Sequence, residues 1–376
     1  MMSSRERTLR AFGKLKGKPD RPPFQFDLCR SLTEEFGRRL GIVPEYALSY
    51  YEDLTYRISA NAIRTALGSD CVVVGATVPR GFVPKAAPSG QGVTVNEFGM
   101  WMKPTALYTE VVKCPLAEAS SEKDLAAWTF PDPYAPGRFE AARRDIDRFG
   151  KDFFIIGDVE LSLFELAWHL VGLEKYLIAF SMEEAWIETL NDMVEEWTGA
   201  LALQLVSMGV DAIWLGEDLG TQTSMLISPD MWRERLKPRY ARLIRRLKRA
   251  NPDLLVAFHS DGAVAPLIDD FIELGVDIYN PVQPNVPGSD PEELQRAYGG
   301  RIAFFGGIDQ QVLLPAGDEK AIRAEAARRV GIMGRNGGYL LAPAHIVQAD
   351  VSPETLLCLR DAVNSIGSEK APSALP

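Results

Sequence analysis

Eight short apolar runs recur along the chain, separated by longer stretches that mix apolar with charged residues. Each run is three to five residues long, and most end beside a glycine or a polar residue. Short apolar runs bounded in this way are typical of buried strands. The runs are Pro23–Phe26, Cys71–Val74, Phe153–Ile156, Ala212–Leu215, Leu254–Phe258, Asp277–Tyr279, Ile302–Phe305 and Tyr339–Leu341.

Helix signals fill the gaps between these runs. Ser3 and Ser181 each precede a glutamate by three residues, which is the form of a capping box, and Ser228 precedes a proline suited to a first helical position. Residues 183–208 carry apolar side chains at helical spacing. An alternation of strands and helices requires a mostly parallel sheet. We therefore predict an α/β fold of the (β/α)8 TIM-barrel type, whose chemistry lies at the carboxyl ends of the strands.

Two segments depart from the alternation. Residues 75–116 are rich in glycine and proline and then alternate apolar with polar positions, which predicts a small antiparallel β insertion after the second strand. We leave open whether it covers the active site or is purely structural. Residues 367–376 have nothing to bury, so we expect a disordered tail after a single domain over 1–366.

Composition narrows the class of protein. The 376 residues are 46% hydrophobic and 24% charged, with a formal net charge of −10. Binding nucleic acid or an anionic membrane needs a basic surface, so neither partner is expected. The sequence has no signal-peptide pattern and no apolar run long enough to span a membrane, which predicts a cytoplasmic protein. We expect reduced thiols at the four cysteines, which are Cys29, Cys71, Cys114 and Cys358.

Two of only three histidines follow predicted strands. His259 follows the fifth run and His345 the eighth, with Glu217 and Asp261 also at strand ends. Imidazoles and a carboxylate with one open position are what catalytic zinc requires, so these four residues are candidate metal ligands. Hydrogen-bonded structural histidines remain the alternative. His169 lies in a helical pattern, and we expect no direct role for it.

Other polar residues at strand ends are candidates for catalysis and substrate binding. Asp218 follows Glu217 directly, and adjacent side chains at a strand end point in different directions, so we expect different tasks for the two carboxylates. A salt bridge to a neighbouring strand is the alternative. Candidate substrate ligands, each of which could instead hold its own loop, are Asp27, Asp158, Gln222, Asn280, Gln283 and Asp309.

A combination of segments resembles the uroporphyrinogen decarboxylase superfamily. Each segment alone is weak, but together they extend from about residue 5 to about residue 365, and the resemblance implies a barrel of eight strands and eight helices. The segments include Gly216-Glu-Asp-Leu-Gly220, Lys237-Pro-Arg-Tyr240, His259-Ser-Asp-Gly262, Asn280-Pro-Val-Gln-Pro284, Gly306-Gly-Ile-Asp309 and Leu341-Ala-Pro-Ala-His345.

The superfamily contains two chemistries: decarboxylation of uroporphyrinogen, and methyl transfer between a small molecule and a cobalamin-bearing protein. The decarboxylases carry an arginine-rich motif near the N-terminus for the many carboxylates of their substrate. Here the matching stretch, Gln25–Arg30, holds one arginine. An enclosed polyanion needs several cationic partners. A carboxy-lyase acting on a tetrapyrrole or another carboxylated small molecule is therefore the alternative prediction.

The zinc methyltransferases of the superfamily have a His-x-Cys pair after the fifth strand and another cysteine after the eighth. This chain resembles them with His259 and Asp261 at the pair and His345 near the last cysteine. Zinc held by nitrogen and oxygen is a stronger Lewis acid than zinc held by thiolates, which suits activation of an oxygen. We predict a methyltransferase that moves a methyl group from an O-methyl compound, for example an aryl methyl ether, to cob(I)alamin, with Asp218 as acid or orienting group beside a zinc ion held by His259, His345 and Glu217.

The cobalamin carrier is expected to be a separate corrinoid protein. Corrinoid modules resembling the usual partner carry an Asp-x-His-x-x-Gly motif, and none of the three histidines here lies in one. The expected partners are therefore a small-molecule methyl donor and a corrinoid protein, and a homodimer is left open.

Overall fold

The computed structural model describes residues 2–49, 51–90, 92–105 and 109–366. The predicted tail at 367–376 lies outside the described residues. The strands are β1 (Cys71–Gly75), β2 (Lys85–Ala86), β3 (Thr94–Val95), β4 (Trp101–Pro104), β5 (Thr109–Lys113), β6 (Phe154–Val159), β7 (Ala212–Gly216), β8 (Leu255–His259), β9 (Ile278–Val282), β10 (Ala303–Ile308) and β11 (Tyr339–Pro343).

Helices separate the long strands, as the alternating pattern predicts. A π-helical turn at Trp232–Leu236 leads into α11, and a 3-10 turn at Ala265–Leu267 leads into α12. The α-helices are α1 (Ser4–Ala11), α2 (Arg30–Leu40), α3 (Glu52–Thr55), α4 (Asn61–Ala66), α5 (Glu122–Ala126), α6 (Glu140–Phe149), α7 (Phe164–Val171), α8 (Leu173–Ser181), α9 (Ala185–Ser207), α10 (Pro229–Met231), α11 (Lys237–Ala250), α12 (Ile268–Leu274), α13 (Pro291–Tyr298), α14 (Leu313–Ala316), α15 (Glu319–Met333) and α16 (Pro353–Ile366).

Seven strands form one parallel sheet in the order β1-β6-β7-β8-β9-β10-β11. The first apolar run extends the pairing at both edges of this sheet. The amide of Gln25 donates to the carbonyl of Leu341 in β11 at 3.2 Å, and the amide of Asp70, just before β1, donates to the carbonyl of Phe24 at 2.7 Å. The segment therefore lies between the last strand and the first. The fold is α/β and TIM-barrel-like, with seven of the eight predicted runs in strands.

The predicted insertion is confirmed as a separate antiparallel sheet in the order β2-β3-β4-β5. Val93, Phe98, Met100 and Met102 of the insertion are buried, whereas Val112 is exposed. Phe98, in the turn before β4, packs its ring edge-on against Trp197 of α9 at a centroid distance of 5.1 Å and against Phe130 at 5.7 Å. The insertion is thus anchored to the helical layer.

Two of the three helix-capping residues predicted from the sequence cap a helix in the structure. The side chains of Ser3 and Ser228 accept hydrogen bonds from the first turns of α1 and α10, as predicted. Ser181 does not cap α9, so that prediction was wrong. It is the last residue of α8, because that helix buries Tyr176 and Phe180 and therefore extends to the proposed cap. Among the described residues, no helix is both long and apolar enough to cross a bilayer.

Candidate active site at the carboxyl ends of the strands

A cavity of about 290 Å³ lies at the carboxyl ends of the parallel strands. Its wall combines carboxylates, two imidazoles from strand ends, one guanidinium and flat apolar side chains. The lining residues that matter for chemistry are Asp27, Arg57, Glu160, Glu165, His169, Trp214, Asp218, His259, Asn280, Phe305 and His345. The polar strand-end residues predicted from the sequence therefore converge only in part.

His259 ends β8, and its ring is fixed from two sides. Nδ1 lies 2.7 Å from Oδ1 of Asn280, and the ring stacks on Trp214 at a centroid distance of 5.2 Å. Because an amide oxygen can only accept, Nδ1 carries a proton, so in the neutral ring Nε2 is the nitrogen with the lone pair. Nε2 lies 3.9 Å from a carboxylate oxygen of Asp218 and 3.9 Å from one of Glu160. This is the tautomer that a metal ligand needs.

Asp218, His259 and Asp261 form a cluster whose potential ligand atoms all lie within 4.8 Å of one another. The amide of Asp261 donates to Oδ1 of Asp218 at 3.1 Å, which ties the two loops together. His345 joins from the last strand, with Nε2 3.5 Å from Oδ2 of Asp261. Oδ1 of Asp261 is buried and has no hydrogen-bond partner among the described residues.

The donor set fits zinc. Zinc binds imidazole nitrogen and carboxylate oxygen at about 2.0–2.2 Å, so tetrahedral ligand atoms are separated by roughly 3.3–3.6 Å. The pairs in the cluster are separated by 3.5 Å between His345 and Asp261 and by 3.9 Å between His259 and Asp218. The three atoms of the cluster lie within 4.8 Å of one another and would have to draw together around an ion, and the unpartnered Oδ1 of Asp261 leaves that carboxyl group with a free acceptor among the described residues.

Arg57 organises the opposite wall, and sequence reasoning missed it. Its guanidinium lies 3.6 Å from the centroid of the Trp214 ring and donates from Nη1 to Oε2 of Glu160 at 3.0 Å. It also lies 3.3 Å from Asp27 and 3.8 Å from Asp158. Three carboxylates therefore share one guanidinium, which fixes Trp214 and, through it, the ring of His259.

Burial shifts the protonation of several groups in this region. The pKa of Asp261 is raised to about 7, first by burial and then by the charge of Asp218. Burial likewise raises the pKa of Asp158 to about 7, against the lowering effect of Arg57. Burial lowers the pKa of His345, which favours the neutral imidazole. The site thus combines an imidazole whose neutral form is favoured, that of His345, with more carboxyl groups than the nearby guanidiniums can neutralise.

Glu165 and His169 bring α7 into the cavity wall. Their side chains are about nine-tenths buried, and Nε2 of His169 lies 3.8 Å from Oε1 of Glu165. Burial lowers the pKa of His169 to about 3, while burial and the charges of Asp218 and Glu160 hold the pKa of Glu165 well above its usual value. Burial therefore favours the uncharged form of both side chains. The structure places His169 in the helix, as its pattern indicated, but on the face that lines the cavity.

The structure does not bring Glu217 to this cluster. Its carboxylate is fully buried and accepts hydrogen bonds from the amides of Leu163, Phe164 and Glu165 and from the hydroxyl of Tyr240. Four donors leave no room for a metal bond, and the side chain caps the start of α7. Glu217 and Asp218 do point in different directions, but Glu217 holds a helix in place rather than lining the cavity.

The remaining predicted substrate ligands fall into two groups. Asp27 and Asn280 line the main cavity, whereas Asp158 is buried behind Arg57. A second cavity of about 200 Å³ adjoins the first, and His345 lines both. Its wall contains Gln222, Gln283, Asp309 and Asp261. Gln283 accepts from the amide of Gly262 at 2.7 Å and donates to Gln222 at 3.2 Å, while Asp309 accepts from the amides of its own loop.

Glu160 is the second functional residue that sequence reasoning missed. It follows Asp158 by two residues at the end of β6, so the pattern of strand ends could have found it. A glycine in the neighbouring strand leaves space for the Glu160 side chain. A Cβ at position 216, the last residue of β7, would lie 2.2 Å from Oε1 of Glu160. Gly216 thus lets the carboxylate reach across to Arg57 and to Nε1 of Trp214, 2.7 Å away.

Comparisons with known proteins agree with this architecture. A family model described as Uroporphyrinogen decarboxylase (URO-D) matches residues 99–366. Among solved structures, a methyltransferase from Methanosarcina mazei is similar in fold, with a TM-score of 0.68 and 18% identity over 97% of this chain and 99% of that chain. A weaker match is an alpha-amylase from Geobacillus thermoleovorans, complexed with acarbose, with a TM-score of 0.41 and 10% identity over 81% of this chain and 70% of that chain. No curated protein sequence matches the chain.

Proposed function

The chain belongs to the uroporphyrinogen decarboxylase family, and from that premise we propose that it is a methyltransferase of this family. In this proposal it moves a methyl group from a small O-methyl compound, such as an aryl methyl ether, to cob(I)alamin on a separate corrinoid protein. The similarity in fold to the methyltransferase from Methanosarcina mazei is in keeping with this branch of the family.

The observation that carries the proposal is the convergence of imidazoles and carboxyl groups along one edge of the cavity. Asp218, His259 and Asp261 converge, and His345 lies beside Asp261. Decarboxylation of a polyanionic tetrapyrrole would need the reverse, a cavity lined by several free cations. Arg57 is the one Arg or Lys among the described residues of this cavity wall, and its charge is already shared by three carboxylates.

In this proposal the zinc ion is held by His259, Asp218 and Asp261, with His345 as an adjacent ligand. Glu217 is no longer part of the set, because its carboxylate is occupied by α7 and Tyr240. A bound zinc ion would supply a Lewis acid that polarises the ether oxygen of the methyl donor.

The chain's own residues prepare the site for that reaction. Asn280 keeps the proton of His259 on Nδ1, so that Nε2 stays available as a donor atom. Arg57 and Glu160 fix Trp214, against which the His259 ring stacks. Preorganised groups of this kind do not have to reorganise during the reaction.

Methyl transfer needs a proton as well as a nucleophile. The bond between the methyl carbon and the ether oxygen breaks, the carbon bonds to the cobalt of cob(I)alamin, and the oxygen keeps the electron pair. Glu165 lines the cavity, and burial raises the pKa of its carboxyl well above the usual value, which favours the protonated form. It is therefore the group we assign to deliver a proton to the departing oxygen, a task for general acid catalysis.

The corrinoid protein would dock over the carboxyl ends of the strands, beside the antiparallel insertion, because the candidate cavity lies at that face. The direct test mixes the enzyme, a corrinoid protein reduced to cob(I)alamin and a panel of methoxylated aromatics, and follows methylcobalamin by its absorbance. Free cob(I)alamin should be a poor acceptor, since docking supplies orientation. Equal rates with free cob(I)alamin, or carbon dioxide release from a porphyrinogen, would contradict the proposal.

A further inference from the structure

The charge of the candidate cavity restricts which methyl donors it can hold. Four carboxyl groups line the wall, from Asp27, Glu160, Glu165 and Asp218. Asp261 adjoins them through its contact with His345. A carboxylate brought into a partly enclosed site among carboxylates loses its hydration and meets charges of its own sign.

The nearby guanidiniums are already neutralised. Arg57 lies against Asp27, Asp158 and Glu160, and its side chain is only 5% exposed. Arg64 contacts the other oxygen of Asp27 and is 2% exposed. Each guanidinium near the cavity in the described part of the chain already has a carboxylate partner, so an anionic ligand would have to compete with Asp27, Asp158 and Glu160 for Arg57.

The cavity nevertheless has uncharged binding features. Trp214 and Phe305 present flat apolar surfaces, and Leu161 adds to the apolar wall. Nη2 of Arg57 is buried without a hydrogen-bond partner among the described residues, so it can donate to an uncharged ligand oxygen. The volume of about 290 Å³ lies at the small end of ligand pockets and suits one substituted ring.

We propose that this cavity selects uncharged aromatic methyl donors and rejects their carboxylated counterparts, with Asp27 as a determinant of that selection. This inference rests on the proposed function only where it takes the ligands to be methyl donors. The selection by charge stands independently of methyl transfer.

The test measures binding by calorimetry with two matched pairs of ligands. Guaiacol and vanillate share a methoxyphenol ring and differ by one carboxylate. Catechol and protocatechuate differ in the same way but carry no methyl group. In both pairs we expect the uncharged ligand to bind at least about 30-fold more tightly, because like-charge juxtaposition in an interface is strongly unfavourable.

A variant and a matched control sharpen the test. Asp27→Asn removes a charge that neutralises Arg57 and Arg64, so the preference for the uncharged ligand should shrink by about threefold or more. Asp145→Asn makes the same change at a half-buried carboxyl outside this cavity, bonded to Asn61, and should leave the preference unaltered.

The outcomes separate the two proposals. Equal or tighter binding of the carboxylated ligand in either pair overturns the charge selection, and so does failure of both uncharged ligands to bind. Preference for catechol over protocatechuate, in a protein that transfers no methyl group from guaiacol, would refute the proposed function and leave the charge selection standing.

Discussion

Carboxylates lie at both ends of the parallel sheet, but their surroundings differ. At the amino end, Asp70 accepts hydrogen bonds from Arg7 and Arg21 and from the amide of Phe24. Asp211, just before β7, accepts from Arg5 and from the amide of Ile155. Each of these carboxylates meets charged and neutral donors that come from different elements, which is what structural ion pairs require.

At the carboxyl end of the sheet, the carboxyl groups outnumber their positively charged partners. Arg57 is shared by three carboxylates, Asp218 and Asp261 contact imidazoles rather than cations, and one oxygen of Asp261 has no partner among the described residues. Carboxylates that hold a fold together come with their counter-charges, whereas those of a site leave the counter-charge to be supplied by a ligand. Substitutions at the two ends should therefore have different effects.

Asp70→Asn should destabilise the protein most, by about 3–5 kcal/mol, because it removes a fully buried charge that pairs with Arg21 and, together with Asp20, with Arg7. Urea denaturation measures the change. Asp20→Asn is the matched control, since Asp20 also pairs with Arg7 but is 40% exposed. It should cost less than about 1 kcal/mol. Equal effects of the two variants would mean that burial does not distinguish these pairs.

Asp218→Asn should instead impair activity. The variant loses a negatively charged candidate zinc ligand beside His259. Turnover should fall by about 100-fold or more, equivalent to roughly 2.7 kcal/mol, and zinc binding should weaken. Stability should change little, because this side chain is 45% exposed. Asp230→Asn, at a 95% exposed position on the outer surface, is the control. Normal kinetics and normal zinc affinity would reduce Asp218 to a surface residue.

Glu217→Gln tests whether Glu217, the residue next to Asp218, has a structural role or is a metal ligand. An amide in place of this carboxylate would turn a donor toward the amides that start α7, which should cost about 1–3 kcal/mol of unfolding free energy. Zinc content should stay unchanged. A loss of zinc from a folded Glu217→Gln protein would restore Glu217 as a metal ligand and contradict the structural assignment.

Acid pH should destabilise the protein through His169. Burial lowers its pKa from 6.5 to about 3, so between these values the unfolded chain binds a proton that the folded chain does not. This contribution to stability is complete above pH 6.5 and is lost as the pH falls, by roughly 1 kcal/mol over the first unit. Urea titrations of the unchanged protein and of His169→Gln should converge on acidification. A parallel decline in both would refute the assignment.

The fold was the more predictable part, because apolar runs and helix signals are local. Even the first run, which joins no regular strand, lies where the pattern placed it, between β11 and β1. The prediction that Ser181 caps α9 failed although the capping pattern is present, because the preceding helix buries Tyr176 and Phe180 and extends to Ser181.

The site was only partly predictable. Asp218, His259, Asp261 and His345 converge because the carboxyl ends of parallel strands meet at one face. Arg57 gave no sequence signal, since it lies outside regular structure between α3 and α4 and reaches the site through ion pairs across the fold. Which adjacent acid turns inward could not be known either, because the donors that capture Glu217 belong to distant residues.

Zinc stoichiometry tests most directly the claim that the carboxyl-end carboxylates lack a counter-charge. Protein purified without chelators should contain about one zinc ion per chain by elemental mass spectrometry. His259→Ala and His345→Ala should each lower the zinc content by well over half. Circular dichroism should be unchanged, and after metal removal all three proteins should have nearly the same unfolding midpoint, since bound zinc itself would stabilise the folded state. Full zinc occupancy in both variants, or an unchanged protein that binds no zinc when it is supplied, would contradict the claim.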